Sequence, residues 1–201
     1  MELAVFNLGP LATNSYLLHN GKEAVMIDVG GEPSEVVRYL KQKGLTLKEI
    51  LVTHMHFDHV LGVATLAEST GAKVWANSRD TYLLGNQGDG FPVIPEDFEF
   101  TELDEGEKEV LGTKCKVLST PGHTPGSLSY YFESLNAIFV GDVLFYRAVG
   151  RSDFSGGNSA TLVNSIKNRL YTLPDATTVY PGHERETNID DEKRLNSFVR
   201  A

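Results

Sequence analysis

Short apolar runs broken by glycine dominate the chain, and stretches of helical period separate some of them. Apolar, β-branched runs bounded by turn residues read as strands. The first third therefore predicts strands over Ala4–Leu8, Ser15–His19 and Ala24–Asp28, with Asn20-Gly21 as a tight hairpin signal because both residues tolerate positive φ. Pro33–Lys43 has the helical period: Ser34 is the expected cap, Val36, Val37 and Leu40 share one face, and Gly44 closes it. A buried strand over Glu49–Thr53, a helix over Val60–Thr70 stopped by Gly71, and a short strand over Lys73–Ala76 follow.

Arg79–Glu99 holds Gly85, Gly88, Gly90, Pro92 and Pro95, so it reads as a helical turn and then a loop. A loop this long is expected to bind or cover something, with Tyr82 and Phe91 as lid residues or as ordinary surface. Strands are expected again at Lys108–Leu111, Cys115–Ser119, Ser127–Phe132, Ala137–Val140 and Thr177–Tyr180, and helices at Thr161–Leu170 and Asp190–Val199. Strands alternating with helices in both halves predict an α/β protein of two packed sheets with helices outside. Pro-Gly-His occurs twice, at 121–123 and 181–183, each after an apolar strand, which hints at one similar unit in each half.

Composition narrows the function classes. The 201 residues suit one domain, 1–201, with a proper core. A net charge of −9 argues against nucleic acid as a partner, since that binding needs clustered Lys and Arg. No run of about 18 apolar residues exists to span a membrane, and the start at Met1-Glu2 has no basic, apolar leader. Cys115 is the single cysteine, so no internal disulfide forms and a cytoplasmic location is expected; mid-strand, it is a packing residue.

The chemistry gathers at strand ends. Ile50-Leu51-Val52-Thr53 runs into His54-Met55-His56-Phe57-Asp58-His59; later strands lead to His123, Asp142 and His183. Ligands in α/β folds collect beyond the carboxyl ends of strands. Imidazole and carboxylate are the usual donors for zinc and iron, and seven candidates exceed the four of one tetrahedral zinc. His54 and His56, two apart in extended chain, are expected on one side, with Asp58 and His59 at the start of the following helix. His19 precedes a hairpin without a partner pattern and is expected to be a surface or turn residue.

The order of Thr53-His54-Met55-His56-Phe57-Asp58-His59, His123, Asp142 and His183 resembles the metallo-β-lactamase superfamily. Within it, Gly141-Asp142-Val143-Leu144-Phe145 and Gly150-Arg151-Ser152-Asp153 are similar to glyoxalase II-like hydrolases. The resemblance implies a four-layer αββα sandwich with two divalent metals, zinc foremost and iron or manganese as alternatives. It places His54, His56 and His123 on one ion, Asp58, His59 and His183 on the other, and Asp142 as the bridge. It implies hydrolysis of a small acyl thioester by attack of a metal-bound hydroxide, with Asp58 orienting the nucleophile. Persulfide dioxygenase, lactonase and a non-catalytic metal protein are the alternatives. β-Lactam hydrolysis is disfavoured, because class B β-lactamases put Cys or another residue where Asp142 stands. Glyoxalase II enzymes add a C-terminal helical domain that makes much of the glutathione contact, and only 18 residues follow His183 here. Tyr146, Arg147 and Arg151 follow the bridging Asp: either arginine can reach a substrate carboxylate or pair with local acids such as Asp153.

Overall fold

The structure, a computed structural model, describes residues 1–85 and 98–200. The chain forms two compact units that divide between Leu103 and Asp104. The first carries a six-stranded sheet in the order β1 (Glu2–Leu8), β2 (Thr13–His19), β3 (Glu23–Ile27), β4 (Thr46–Leu51), β5 (Lys73–Ala76) and β6 (Thr101–Glu102). β1, β2 and β3 are antiparallel neighbours, and β3 through β6 run parallel. The carboxyl ends of β3, β4 and β5 consequently share one edge. Helices α1 (Ser34–Lys43), α2 (Phe57–Val60) and α3 (Val63–Thr70) complete this unit. Val36 and Leu40 of α1 and Val63 and Leu66 of α3 share a buried cluster with Ala24, Met26, Ile50 and Val74 of the strands. Burying each of the Val, Leu, Ile and Met side chains among them contributes roughly 1.5–3 kcal/mol.

The second unit has a sheet in the order β14 (Thr187–Asn188), β13 (Thr178–Pro181), β10 (Ala137–Gly141), β9 (Leu128–Phe132), β8 (Thr113–Ser119) and β7 (Gly106–Val110). β10 pairs parallel with β13 and antiparallel with β9, which is antiparallel to β8. β8, β10 and β13 therefore point the same way, so His123, Asp142 and His183 all leave the sheet at one edge. A two-stranded hairpin, β11 (Leu144–Phe145) and β12 (Ala148–Val149), follows Asp142 directly. Helix α4 (Ser159–Ser165), which widens into a π-turn over Ile166–Leu170, and α5 (Ile189–Leu195) pack through Leu162, Ile166 and Ile189 onto Ile138 and Val179.

Several expectations shift. The helix foreseen over Val60–Thr70 is interrupted at Leu61-Gly62, where Gly62 N–H donates to the Val29 carbonyl at 2.9 Å. A Cβ at Gly62 would overlap the Gly31 carbonyl oxygen, so the close approach of these segments needs glycine there. Ser34 does not cap α1; Pro33 holds the cap position and Ser34 donates its hydroxyl to Glu32. In the hairpin at Asn20-Gly21 only Gly21 takes positive φ, while Asn20 Oδ1 accepts from the amides of Lys22 and Glu23. α5 stops at Leu195, and the Asn196 side chain accepts from Phe198 and Val199 beyond it. Both Pro-Gly-His segments lie in the second unit, in different roles. Gly122 has φ 133° and packs against Leu162, whereas Gly182 N–H donates to the Gly141 carbonyl at 2.8 Å. Cys115 is buried in β8, as its mid-strand place implies. Arg79–Glu99 opens with a 3₁₀ turn over Ser78–Leu83; Phe91 and most of the expected lid lie outside the described residues. Among the described residues no helix is long and apolar enough to cross a membrane.

Candidate metal centre

Strand β4 ends at Leu51, two residues earlier than expected, so His54 and His56 do not stand on extended sheet. A carboxylate organises the turn that follows. Asp28, just past β3, accepts from Thr53 N–H and Thr53 Oγ1–H, both at 2.7 Å, and pairs with His59 Nδ1 at 2.7 Å. Asp28 has φ 55°, in the left-handed region that Asp tolerates better than most residues. His56 is extended at the entrance to α2, which carries Asp58 and His59 in its single turn. The His54 ring lies 4.9 Å from that of His56 and 4.0 Å from that of His59, so the four predicted donors of this unit do come together. All four are buried.

Hydrogen bonds fix which imidazole nitrogen is presented. Thr53 Oγ1 gives its proton to Asp28 and so accepts from His54 Nδ1 at 3.1 Å. His59 Nδ1 donates to Asp28, and His123 Nδ1 donates to the Arg151 carbonyl at 2.6 Å. With the tautomers assigned from this network, three imidazoles turn Nε2, and its lone pair, away from these contacts. Fixing a ligand histidine through its second nitrogen is how metal sites orient their donors. Thr13 Oγ1 donates to Asp58 Oδ2 at 3.1 Å, and the buried Asp80 accepts from Met55 N–H at 3.4 Å, holding the loop between His54 and His56.

Donor spacings within each unit suit a metal. Two ligands about 2.0–2.1 Å from one tetrahedral ion sit roughly 3.4 Å apart. His59 Nε2 and Asp58 Oδ2 are 3.6 Å apart. In the second unit Asp142 Oδ2 lies 3.6 Å from His123 Nε2 and 3.5 Å from His183 Nε2, one oxygen flanked by two imidazoles. The buried atoms His59 Nε2 and Asp142 Oδ1 have no hydrogen-bond partner among the described residues. All seven predicted donors belong to groups of His and Asp whose ligand atoms could hold a metal ion. The chemistry of this donor set fits a pair of divalent ions.

The three residues expected at a substrate divide differently. Arg147, at φ 59°, gives its backbone N–H and Nη1 to the fully buried Glu192, at 3.0 and 2.8 Å. Arg151 forms a two-point pair with Asp153, at 2.9 and 2.7 Å, which is the local alternative foreseen for it. That pair raises the Arg151 pKa and holds the Asp153 carboxyl below its usual range. Tyr146 carries the guanidinium of Arg185 over its ring, with the carbon 3.6 Å from the centroid. His19, expected at the surface, is 3% exposed and has Nε2 3.3 Å from the Tyr39 hydroxyl. Asp28, Asp80, Glu192 and Arg185 were missed by sequence reasoning. Asp28 stands in Ile27-Asp28-Val29-Gly30, where the superfamily resemblance begins, but nothing local gives it a role, since its partner lies 31 residues away.

Residues 8–183 match the metallo-β-lactamase superfamily. The chain belongs to that superfamily. Among the superfamily's members it is 33% identical over 199 residues to the hydroxyacylglutathione hydrolase GloC of Haemophilus influenzae, covering 93% of this chain and 92% of that one. The solved structure of BLEG-1 B3 metallo-β-lactamase superposes with a TM-score of 0.92 at 33% identity, covering 100% of both chains. TTHA1623 in a di-iron-bound form gives 0.88 at 36% identity, covering 98% of this chain and 100% of that one. The α/β fold of the metallo-β-lactamase type is thus established, together with the activity class of a metallo-hydrolase with a histidine-rich metal site.

Proposed function

We propose that the four donors of the first unit and the three of the second serve one two-metal centre, and that the protein hydrolyses small acyl thioesters there. His54, His56 and His123 hold one ion, Asp58, His59 and His183 the other, and Asp142 lies between them. The observation that carries this reading is Asp142 Oδ2 flanked at ligand spacing by His123 and His183. Likeness to a hydroxyacylglutathione hydrolase over nearly the whole chain supports the substrate class. Divalent ions held there supply a water nucleophile at neutral pH and polarise a carbonyl. Asp58, steadied by Thr13, accepts a hydrogen bond from the attacking water and orients it. A thiolate with a conjugate-acid pKa of about 8.5 departs with little help from a general acid, so no further proton donor is required.

Turnover of S-lactoylglutathione by zinc-, iron- or manganese-reconstituted protein tests this, with His56→Ala as control. Loss of turnover in the control is expected. A metal-loaded protein that leaves every small acyl thioester intact overturns the reading. The likeness to a B3 metallo-β-lactamase favours a second reading, β-lactam hydrolysis. A chromogenic cephalosporin in the same assay separates the two.

A further inference from the structure

The geometry points to Arg185 as a carboxylate-binding residue that selects thioesters whose thiol portion carries a free carboxylate; this rests on the thioester reading. Arg147 is tied to Glu192 and Arg151 to Asp153, so both arginines expected at the substrate already have carboxylate partners. Arg185 is exposed, two residues beyond His183, and pairs with no carboxylate among the described residues. Its guanidinium carbon sits 3.6 Å from the Tyr146 centroid. Tyr146 follows Phe145, whose ring meets that of the metal-ligand candidate His183 edge-on at 6.1 Å. The hairpin tip and the segment after β13 therefore run side by side, and Arg185 stands one residue step outward from the metal edge.

Stacking fixes the plane of the guanidinium and leaves its N–H edge for a ligand. That edge matches a carboxylate by two parallel hydrogen bonds, and the stacked side chain loses less freedom when the ligand arrives. The groove beside it, about 1010 Å³ in volume, is lined by Tyr146, Arg147 and Arg185 and by four acids, Asp175, Glu186, Asp190 and Asp191. Glu186, like Arg185, has no ion-pair partner among the described residues. These acids oppose any anion, so a ligand carboxylate has to be held by Arg185, because Arg147 is already paired with Glu192. A polyphosphate carries more negative charge than one arginine can match.

The test is steady-state hydrolysis by the metal-loaded full chain of three acetyl thioesters: S-acetylglutathione, neutral S-acetyl-N-acetylcysteamine and acetyl-coenzyme A. Arg185→Met is expected to lower kcat/KM for S-acetylglutathione roughly ten- to hundredfold, through KM, with no such loss for the neutral thioester. Arg185→Lys is expected to recover part of it. Equal losses on all three thioesters, or none, overturn the assignment, and so does a wild-type preference for acetyl-coenzyme A. If wild type cleaves no thioester, the proposed function fails, and calorimetry with the inert thioether S-methylglutathione judges Arg185 alone. Weaker binding to Arg185→Met than to wild type sustains the carboxylate site; equal or absent binding overturns it.

Discussion

Asp28 shows how much one residue off the metal can decide. Its carboxylate receives Thr53 twice and His59 once, and through Thr53 it also sets the tautomer of His54. Asparagine tolerates the left-handed backbone at position 28, so Asp28→Asn changes the hydrogen bonding and not the turn. An amide N–H₂ would face donors where a carboxylate oxygen accepted them. Metal affinity is expected to fall about 10–100-fold, read by competition with a chromogenic chelator, while the circular dichroism spectrum is retained. The metal-ligand candidates were legible from sequence because metal binding restricts residue type and the strand ends set the spacing. Asp28 was not, because an acid after a buried strand looks like an ordinary turn residue until His59 is folded against it. His19 shows the converse: placed before a turn, it reads as exposed, and only packing against Tyr39 of α1 buries it.

At the scale of elements, the hairpin β11–β12 depends on a helix far along the chain. Glu192 of α5, fully buried, accepts from Arg147 N–H and Nη1, from Thr187 Oγ1 and from Asn196 Nδ2. Without Glu192, Arg147 keeps Asp191 at 3.7 Å, but the buried Thr187 hydroxyl and Asn196 amide lose this acceptor. Glu192→Ala is expected to lower stability by about 1–3 kcal/mol in urea unfolding, and Glu192→Gln, which keeps an acceptor for these donors, by less. Tyr171 joins the same region, donating to the Glu192 carbonyl at 3.1 Å or the Val199 carbonyl at 2.8 Å. Burial, and then the Glu192 charge, raise its pKa above 10.0. Unfolded tyrosine begins to ionise near pH 10 while the folded residue keeps its proton. The stability it contributes is therefore complete below that pH and declines as pH rises toward the folded value. Unfolding curves at pH 8 and 10.5 should show this decline in wild type and a shallower one in Tyr171→Phe. Long elements were readable because a period needs several residues to show. The two-residue strands β6, β11, β12 and β14 carry no period, and the break at Gly62 reflects a backbone approach that no local pattern announces.

For the molecule as a whole, metal and stability are linked. Ions that bind only the folded chain stabilise it by about 4.1 kcal/mol at a thousandfold excess over Kd. For a domain of this size each kcal/mol is worth roughly 2–4 °C. Chelation is therefore expected to lower Tm by on the order of 10 °C by differential scanning calorimetry. A Tm indifferent to chelator would argue against tight binding. The fold class and the metal-ligand candidates are legible in the amino-acid sequence alone, because both follow from strand ends and donor types distributed along the whole chain. Which arginines stay open to a ligand is not, since that depends on which of them find local acids: among the described residues Arg147 and Arg151 do, and Arg185 does not.

Gly150, between the hairpin and the Arg151 carbonyl that holds His123, has a genetic consequence. A Cβ there would overlap the Asp142 carbonyl oxygen and come within 3.3 Å of His123 Nδ1. Even alanine would displace two donors at once, although position 150 holds no metal and need touch no substrate. In a saturation library selected for activity, that codon should tolerate as little variation as the histidine codons. Its intolerance would mark a shape requirement that resembles a chemical one.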